Sequence, residues 1–172
     1  DPARLKEANK EALTVSQAAT KFLTEHVDVK RKARTAEGYR DILSRIVIPA
    51  LGNVRLKDVQ RADISRLHHS LRITPYQANR VLAVLSKMFN MAESWGERPD
   101  NSNPCRHIEK FKEAKRERFL SADELAALSD ALGTYNGSPY VVAAIKLLVF
   151  TGARLQEILT MRWEWIDFER KE

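Results

Sequence analysis

The sequence predicts a mainly α-helical protein: two helical units with a basic connection between them. Three observations carry that expectation. Apolar residues recur at helical spacing along most of the 172 residues. Thr14–Gln17, Thr74–Gln77 and Ser121–Glu124 each pair a hydroxyl with an amide or carboxylate three residues on, the signature of a capped helix start. A cluster of turn residues, GERPDNSNP from Gly96 to Pro104, separates two periodic regions.

The elements follow in order. Thr14 opens a first helix over SQAATKFLTEHV. Thr35 is expected to cap a second, AEGYRDILSRIVIPAL, whose apolar stripe is Tyr39, Ile42, Leu43 and Ile46 and whose end is marked by Pro49 and Gly52. The stretch LKDVQRADISRLHHSL predicts a third helix with Ile64, Leu67 and Leu71 inward. Thr74-Pro75 opens a fourth, with proline at the first helical position. Its stripe of Ala78, Val81, Leu82, Leu85, Met88, Phe89 and Ala92 is the clearest in the chain. After a linker over residues 96–118, Ser121 leads a helix DELAALSDAL. Tyr140–Phe150 is too short to span a bilayer and contains Lys146, so it reads as a buried core helix ended by Gly152. A short helix LQEILTMRW follows, and WIDFERKE is read as the start of a strand.

Composition narrows the function classes. A formal charge of +6 favours polyanionic partners without singling them out. The lone Cys105 rules out an internal disulfide and fits a reducing compartment. No Cys/His spacing resembles a zinc site, and the adjacent His68 and His69 point about 100° apart on a helix. The chain opens DPARLKEANK without methionine and stops at DFERKE, so a piece of a longer protein is expected.

Three groups of residues offer chemistry. On the fourth helix, Tyr76, Asn79, Arg80, Lys87 and Asn90 lie opposite the apolar stripe, with small Ala83 and Ser86 among them. Such a face has the donors that read base edges and phosphates, although a solvated outer face has the same pattern. Lys30, Arg31, Lys32 and Arg34 precede the second helix without an intervening acid, where they oppose the helix dipole. The linker adds Lys112, Lys115 and Arg116, interspersed with glutamates. Finally, Arg154 stands just past the apolar helix with Glu157 three residues on. A guanidinium held there suits bidentate contact with a phosphate, and a structural Arg–Glu pair is the plainer alternative.

The stretch LLVFTGARLQEILTMRWEWIDF resembles the first signature of the tyrosine recombinase (phage integrase) family: an apolar helix, Thr-Gly, any residue, Arg, two residues, Glu, then an aliphatic. TPYQANRVLAVLSKMFNMAESWG followed by NP is similar to the last helix and exit of that family's core-binding domain, and RFLSADELAALSDAL to the entry into its catalytic domain. The resemblance implies a four-helix, SAM-like core-binding bundle over residues 14–95, a linker over 96–118, and the front of a catalytic domain over 119–172. Residues 1–13 would follow a missing arm-type DNA-binding domain. It also implies strand exchange on duplex DNA through a 3′-phosphotyrosine, with neither metal nor other cofactor, by several protomers in the bacterial cytoplasm at the nucleoid. Arg154 takes the position of the first catalytic arginine and Glu157 that of the supporting acid. The later lysine, His-x-x-Arg box and nucleophilic tyrosine do not follow Arg154 here, and Tyr39, Tyr76, Tyr135 and Tyr140 all precede it. The chain is therefore expected to bind DNA without cutting it. A non-catalytic helical DNA-binding regulator and a helical protein-interaction module remain as rival readings.

Overall fold

The computed structural model describes residues 12–114, 117–167 and 169–170. The chain divides into two compact units at the junction of residues 115 and 116.

The first unit is built from four helical rods. Thr14 caps the first through a reciprocal pair: Gln17 N donates to Thr14 Oγ1 at 3.2 Å and Thr14 N to Gln17 Oε1 at 2.9 Å. The rod runs as α1 (Val15–Phe22), a π-helical turn (Leu23–Val27) and α2 (Asp28–Lys30). Val15, Ala18, Ala19 and Phe22 are buried at helical spacing, and His26 and Val27 continue the buried stripe through the π turn. The second rod is α3 (Ala33–Ile42), a second π turn (Leu43–Val47) and α4 (Ile48–Leu51). It starts two residues before the expected cap. Lys32, in extended conformation, stands at the N-cap, and its carbonyl accepts from Thr35 N and Ala36 N, so Thr35 lies inside the helix. The expected stop at Pro49 is also passed. Proline lacks an N–H, and it falls just after the wider π turn, in the first turn of α4 where no intrahelical donor is required.

The third region departs from the single helix read from the sequence. A 3₁₀ turn (Leu56–Asp58) is followed by extended Val59 and Gln60, and only then by α5 (Arg61–Ser70). Asp63 accepts from Gln60 N at 3.0 Å and so sets the start of α5. Helix α6 (Pro75–Ser94) matches its periodicity, with Ala78, Val81, Leu82, Leu85, Met88, Phe89 and Ala92 all buried. Its expected capping box is absent: the Thr74 hydroxyl donates to Leu71 O and Gln77 Oε1 and caps no helix N–H.

Phe22, Leu43, Ile64, Leu85, Met88 and Phe89 form the centre of the unit, each under 2% exposed. Burying each such side chain contributes about 1.5–3 kcal/mol. Gly96, at φ +75°, turns the chain out of α6. The chain then folds back over the bundle and buries Asn103 and Cys105. Arg98 ties this return down, donating to Leu56 O, to Val59 O at 3.3 Å and to Ser102 O at 3.0 Å.

The second unit contains α7 (Ala122–Thr134), α8 (Pro139–Thr151), α9 (Leu155–Leu159) and a 3₁₀ turn (Trp163–Trp165). Ser121 and Glu124 form the predicted capping box, with Glu124 N to Ser121 Oγ at 3.2 Å and Ser121 N to Glu124 Oε2 at 3.0 Å. The expectation of a buried helix at Tyr140–Phe150 is not met. No residue of α8 is buried, and Tyr140 and Phe150 are each 83% exposed. A helix apolar on all sides needs neighbours on all sides, and among the described residues α8 is only partly covered. The expected strand after Trp165 is likewise not seen. Trp163–Trp165 is a 3₁₀ turn, the described residues contain no strand, and Phe168, Lys171 and Glu172 lie outside them.

Candidate nucleic-acid interface and phosphate-binding arginine

Helix α6 sorts its polar residues into two kinds. Arg80 is exposed and Lys87 half-buried, and neither has a carboxylate partner among the described residues. Asn79 is different. It is 6% exposed and sits at the edge of the apolar stripe, where the returning chain covers it. Its Oδ1 accepts from Phe111 N at 3.0 Å and lies 3.1 Å from His68 Nε2. Its Nδ2 donates to Phe111 O at 2.8 Å and to Glu113 Oε1 at 2.7 Å. His68 stacks on the Phe111 ring, centroid to centroid 4.3 Å. The Tyr76 hydroxyl donates to Ala114 O. Asn79 and Tyr76, both read from the sequence as DNA-binding residues, thus hold the outgoing chain against α6. All of the Asn79 amide's bonding capacity toward a groove is spent. Asn90 is exposed, and its Oδ1 accepts from Asn103 Nδ2 at 2.7 Å.

The cations of the first unit lie around this framework. Lys30, Arg31, Lys32 and Arg34 are all exposed at the junction of α2 and α3, with no carboxylate partner among the described residues. Lys112 is exposed just beyond the Asn79 clamp, whereas Lys115 and Arg116 lie outside the described residues. An open cleft of about 790 Å³, unmarked by any sequence motif, is lined by Lys57, Arg61, Arg98, Arg106 and His107 with Asp58. Sequence reasoning missed it because its cations come from the 3₁₀ turn at Leu56–Asp58, from α5 and from the return after α6. Within it, Arg98 is committed to backbone carbonyls, and its burial pulls the guanidinium pKa below the ordinary value.

In the second unit, Gly152 at φ +64° ends α8 in a left-handed turn, and its N–H closes onto Leu148 O. Arg154 follows as the N-cap of α9. Glu157 reaches back with both oxygens: Oε2 accepts from Arg154 N at 2.9 Å and Oε1 from Arg154 Nη1 at 2.8 Å. The Arg154 backbone N–H first, and then its side chain, hold the Glu157 pKa below the usual carboxylate range. The Arg154 side chain is 87% exposed, and its Nε and Nη2 have no partner among the described residues. One edge of the guanidinium is therefore fixed and the rest is open to an anion. The support comes from a glycine turn and a carboxylate, not from the burial read from the sequence.

The chain is similar to known proteins over nearly its whole length. Residues 14–72 match the phage integrase N-terminal SAM-like domain. The integrase of Shigella phage Sf6 is 25% identical over 178 residues, covering 99% of this chain and 45% of the relative. The shufflon-specific DNA recombinase of Escherichia coli is 32% identical over 167 residues, covering 90% of this chain and 42% of the relative. The chain thus spans less than half the length of these relatives. Among solved structures, a lambda integrase dimer bound to a COC′ core site matches with a TM-score of 0.81 at 19% identity, covering 97% of this chain and 47% of that one. The helical fold of the described residues, the matched SAM-like domain and the similarity to integrases along nearly the whole sequence make this chain similar to the phage integrase family of tyrosine recombinases.

Proposed function

We propose that this chain is the DNA-holding front part of a site-specific recombinase. The first unit grips duplex DNA through Lys30, Arg31, Lys32, Arg34, Arg80 and Lys87, and the linker adds Lys112, Lys115 and Arg116. In the complete protein, Arg154 holds the scissile phosphate and Glu157 holds Arg154. A tyrosine supplied after Arg154 attacks that phosphate, giving a 3′-phosphotyrosine and a free 5′-hydroxyl. The bond energy stays in the ester, and a new 5′-hydroxyl reverses the step. The recombinase relatives and the DNA-bound lambda integrase support strand exchange on duplex DNA by several protomers.

The observation that carries this reading is the Arg154 arrangement. A guanidinium pinned on one edge by Glu157 and open on the other is preorganised for a developing phosphorane charge. Within the given 172 residues, His69-Ser-Leu-Arg72 alone has the spacing of a His-x-x-Arg box, and it lies in the first unit ahead of Arg154. The four tyrosines also precede Arg154. This chain alone therefore binds DNA without cutting it. A nicked suicide substrate carrying the cognate site tests the point: no covalent protein–DNA adduct is expected, and an adduct would assign the nucleophile to an upstream tyrosine.

A further inference from the structure

The cationic cleft beside α5 has no part in the DNA grip proposed above. Its walls come from the 3₁₀ turn at Leu56–Asp58, the start of α5 and the return after α6. Lys57, Arg61, Arg98 and Arg106 share its volume of about 790 Å³ with one acid among the described residues, Asp58. The floor is firmly built. Arg98 donates to Ser102 O at 3.0 Å and to Ser102 Oγ at 3.3 Å, besides the carbonyls of Leu56 and Val59. Asp58 acts on that guanidinium. Arg106 is steadied by Asn101 Oδ1 at 2.9 Å and Glu93 Oε2 at 3.8 Å, and its side chain is still 42% exposed. Arg61 is exposed, and its guanidinium has no partner among the described residues. Asn101 at φ +63° and His107 at φ +62° also line the cleft. Left-handed backbone is uncommon outside glycine, so the surrounding contacts impose the shape of this wall.

The cleft is separate from the cations already assigned to DNA. A hollow of about 260 Å³ shares Arg61 and His107 with it and continues along α5 past Ser65 and His69. A different hollow, of about 390 Å³, holds Lys87, Asn90 and Lys110. Ile108 lines both hollows, so the return chain stands between the α5 trough and the α6 face. The cleft is also distant from the α2–α3 junction. Leu56 N donates to Leu13 O at 2.7 Å, which sets the cleft beside the start of the first rod, whereas Lys30 lies at the end of that rod. At about 1.5 Å per residue, the helical path from Val15 to Lys30 is roughly 20 Å long.

We propose that Arg61 and Arg106 hold a phosphate group of the DNA backbone in this cleft, as a contact separate from those of α6 and the α2–α3 cations. The two guanidinium groups come from different walls and present planar sets of N–H donors, which suit phosphate oxygens. Arg98 adds positive charge at the floor. The open mouth admits a phosphate that remains esterified on both sides, which an enclosed cavity would refuse. The inference rests on the DNA-binding reading and adds DNA contact on the α5 side of the return.

The test uses the 172-residue chain, followed by NMR at the Arg61 and Arg106 side-chain N–H groups and the Ser102 and His107 amides. The probes are a short random-sequence duplex, inorganic phosphate and a polyglutamate peptide. The duplex is expected to shift the cleft signals together with those of α6. Arg61→Gln removes no bond within the first unit. It is expected to abolish the cleft response, to lower duplex affinity about tenfold and to reduce the log–log salt slope by roughly 0.9, the amount for one phosphate. Replacing Lys30, Arg31 and Lys32 together by alanine is expected to weaken binding and leave the cleft response in place. A duplex that shifts α6 but not the cleft would overturn the inference and leave the DNA-binding reading intact. A cleft that answers only to inorganic phosphate, or only to polyglutamate, would overturn it in favour of a free ion or an acidic protein partner. No response to duplex anywhere would overturn both.

Discussion

At the residue scale, Arg154 and Asn79 make opposite cases. Arg154 spends one guanidinium edge on Glu157 and keeps the other free. On the proposed reading, Arg154→Ala in the full-length protein is expected to slow cleavage by about 10²–10³, the loss typical of one preorganised oxyanion contact. DNA affinity, spread over many cations, should change far less. Single-turnover cleavage and equilibrium binding on the same substrate separate the two, and cleavage within a few-fold of the parent would leave Arg154 a structural role only. Asn79 was legible as a polar residue on α6, but not as a buried one. Its four contacts lie on His68, Phe111 and Glu113, far away in sequence. Asn79→Ala strands the Phe111 backbone groups, which is expected to cost the first unit about 1–3 kcal/mol. Urea denaturation reads this directly. If stability is unchanged and discrimination between cognate and random DNA falls instead, Asn79 reads bases after all.

At the element scale, the two π turns and the linker clamp matter most. The π turn at Leu23–Val27 buries His26 in the bundle, and burial, with nearby cations, lowers its pKa from the ordinary histidine value. Because its pKa is lowered on folding, the unfolded chain binds the proton more readily. Stability is therefore highest above about pH 6.5, the unfolded histidine value, and declines as pH falls toward the lower folded pKa. In the absence of DNA, thermal melts from pH 7.5 to 5 should show this decline, and His26→Leu should flatten part of it. A wild-type profile flat over that range would mean that His26 titrates alike in both states. The extent and buried face of α6 were readable because one apolar stripe runs through its twenty residues, while its expected capping box was not formed. The boundaries of α3 and α5 were not, since they depend on Lys32 and Asp63 backbone bonding that no periodicity reports.

At the scale of the whole molecule, the two units differ in kind. The buried core lies in the first unit, while no residue of α7, α8 or α9 is buried. Hydrogen exchange follows local stability, so amides of Val81–Phe89 should exchange orders of magnitude more slowly than those of α8. Equal protection in the two units would contradict this. DNA binding by the cationic surfaces should weaken with salt at a log–log slope of roughly −0.9 per phosphate neutralised. Replacing Lys30, Arg31 and Lys32 together by alanine should flatten that slope and lower affinity alike for all sequences. A slope near zero in the parent chain would favour a protein-interaction module.

The sequence by itself determined the mainly α-helical class, the capped starts at Thr14 and Ser121, the stripe of α6 and the turn that presents Arg154 beside Glu157. All of these are local: periodicity, capping and the left-handed turn at Gly152 act within a few residues. Only the tertiary structure decided that Asn79 and Tyr76 hold the linker and that Arg98 closes the return over the bundle. Each joins partners more than ten residues apart, and a buried polar group is recognisable only once the chain that covers it is in place. The exposure of α8 has the same origin, because hydropathy states what a helix would bury and not whether a neighbour is there to bury it.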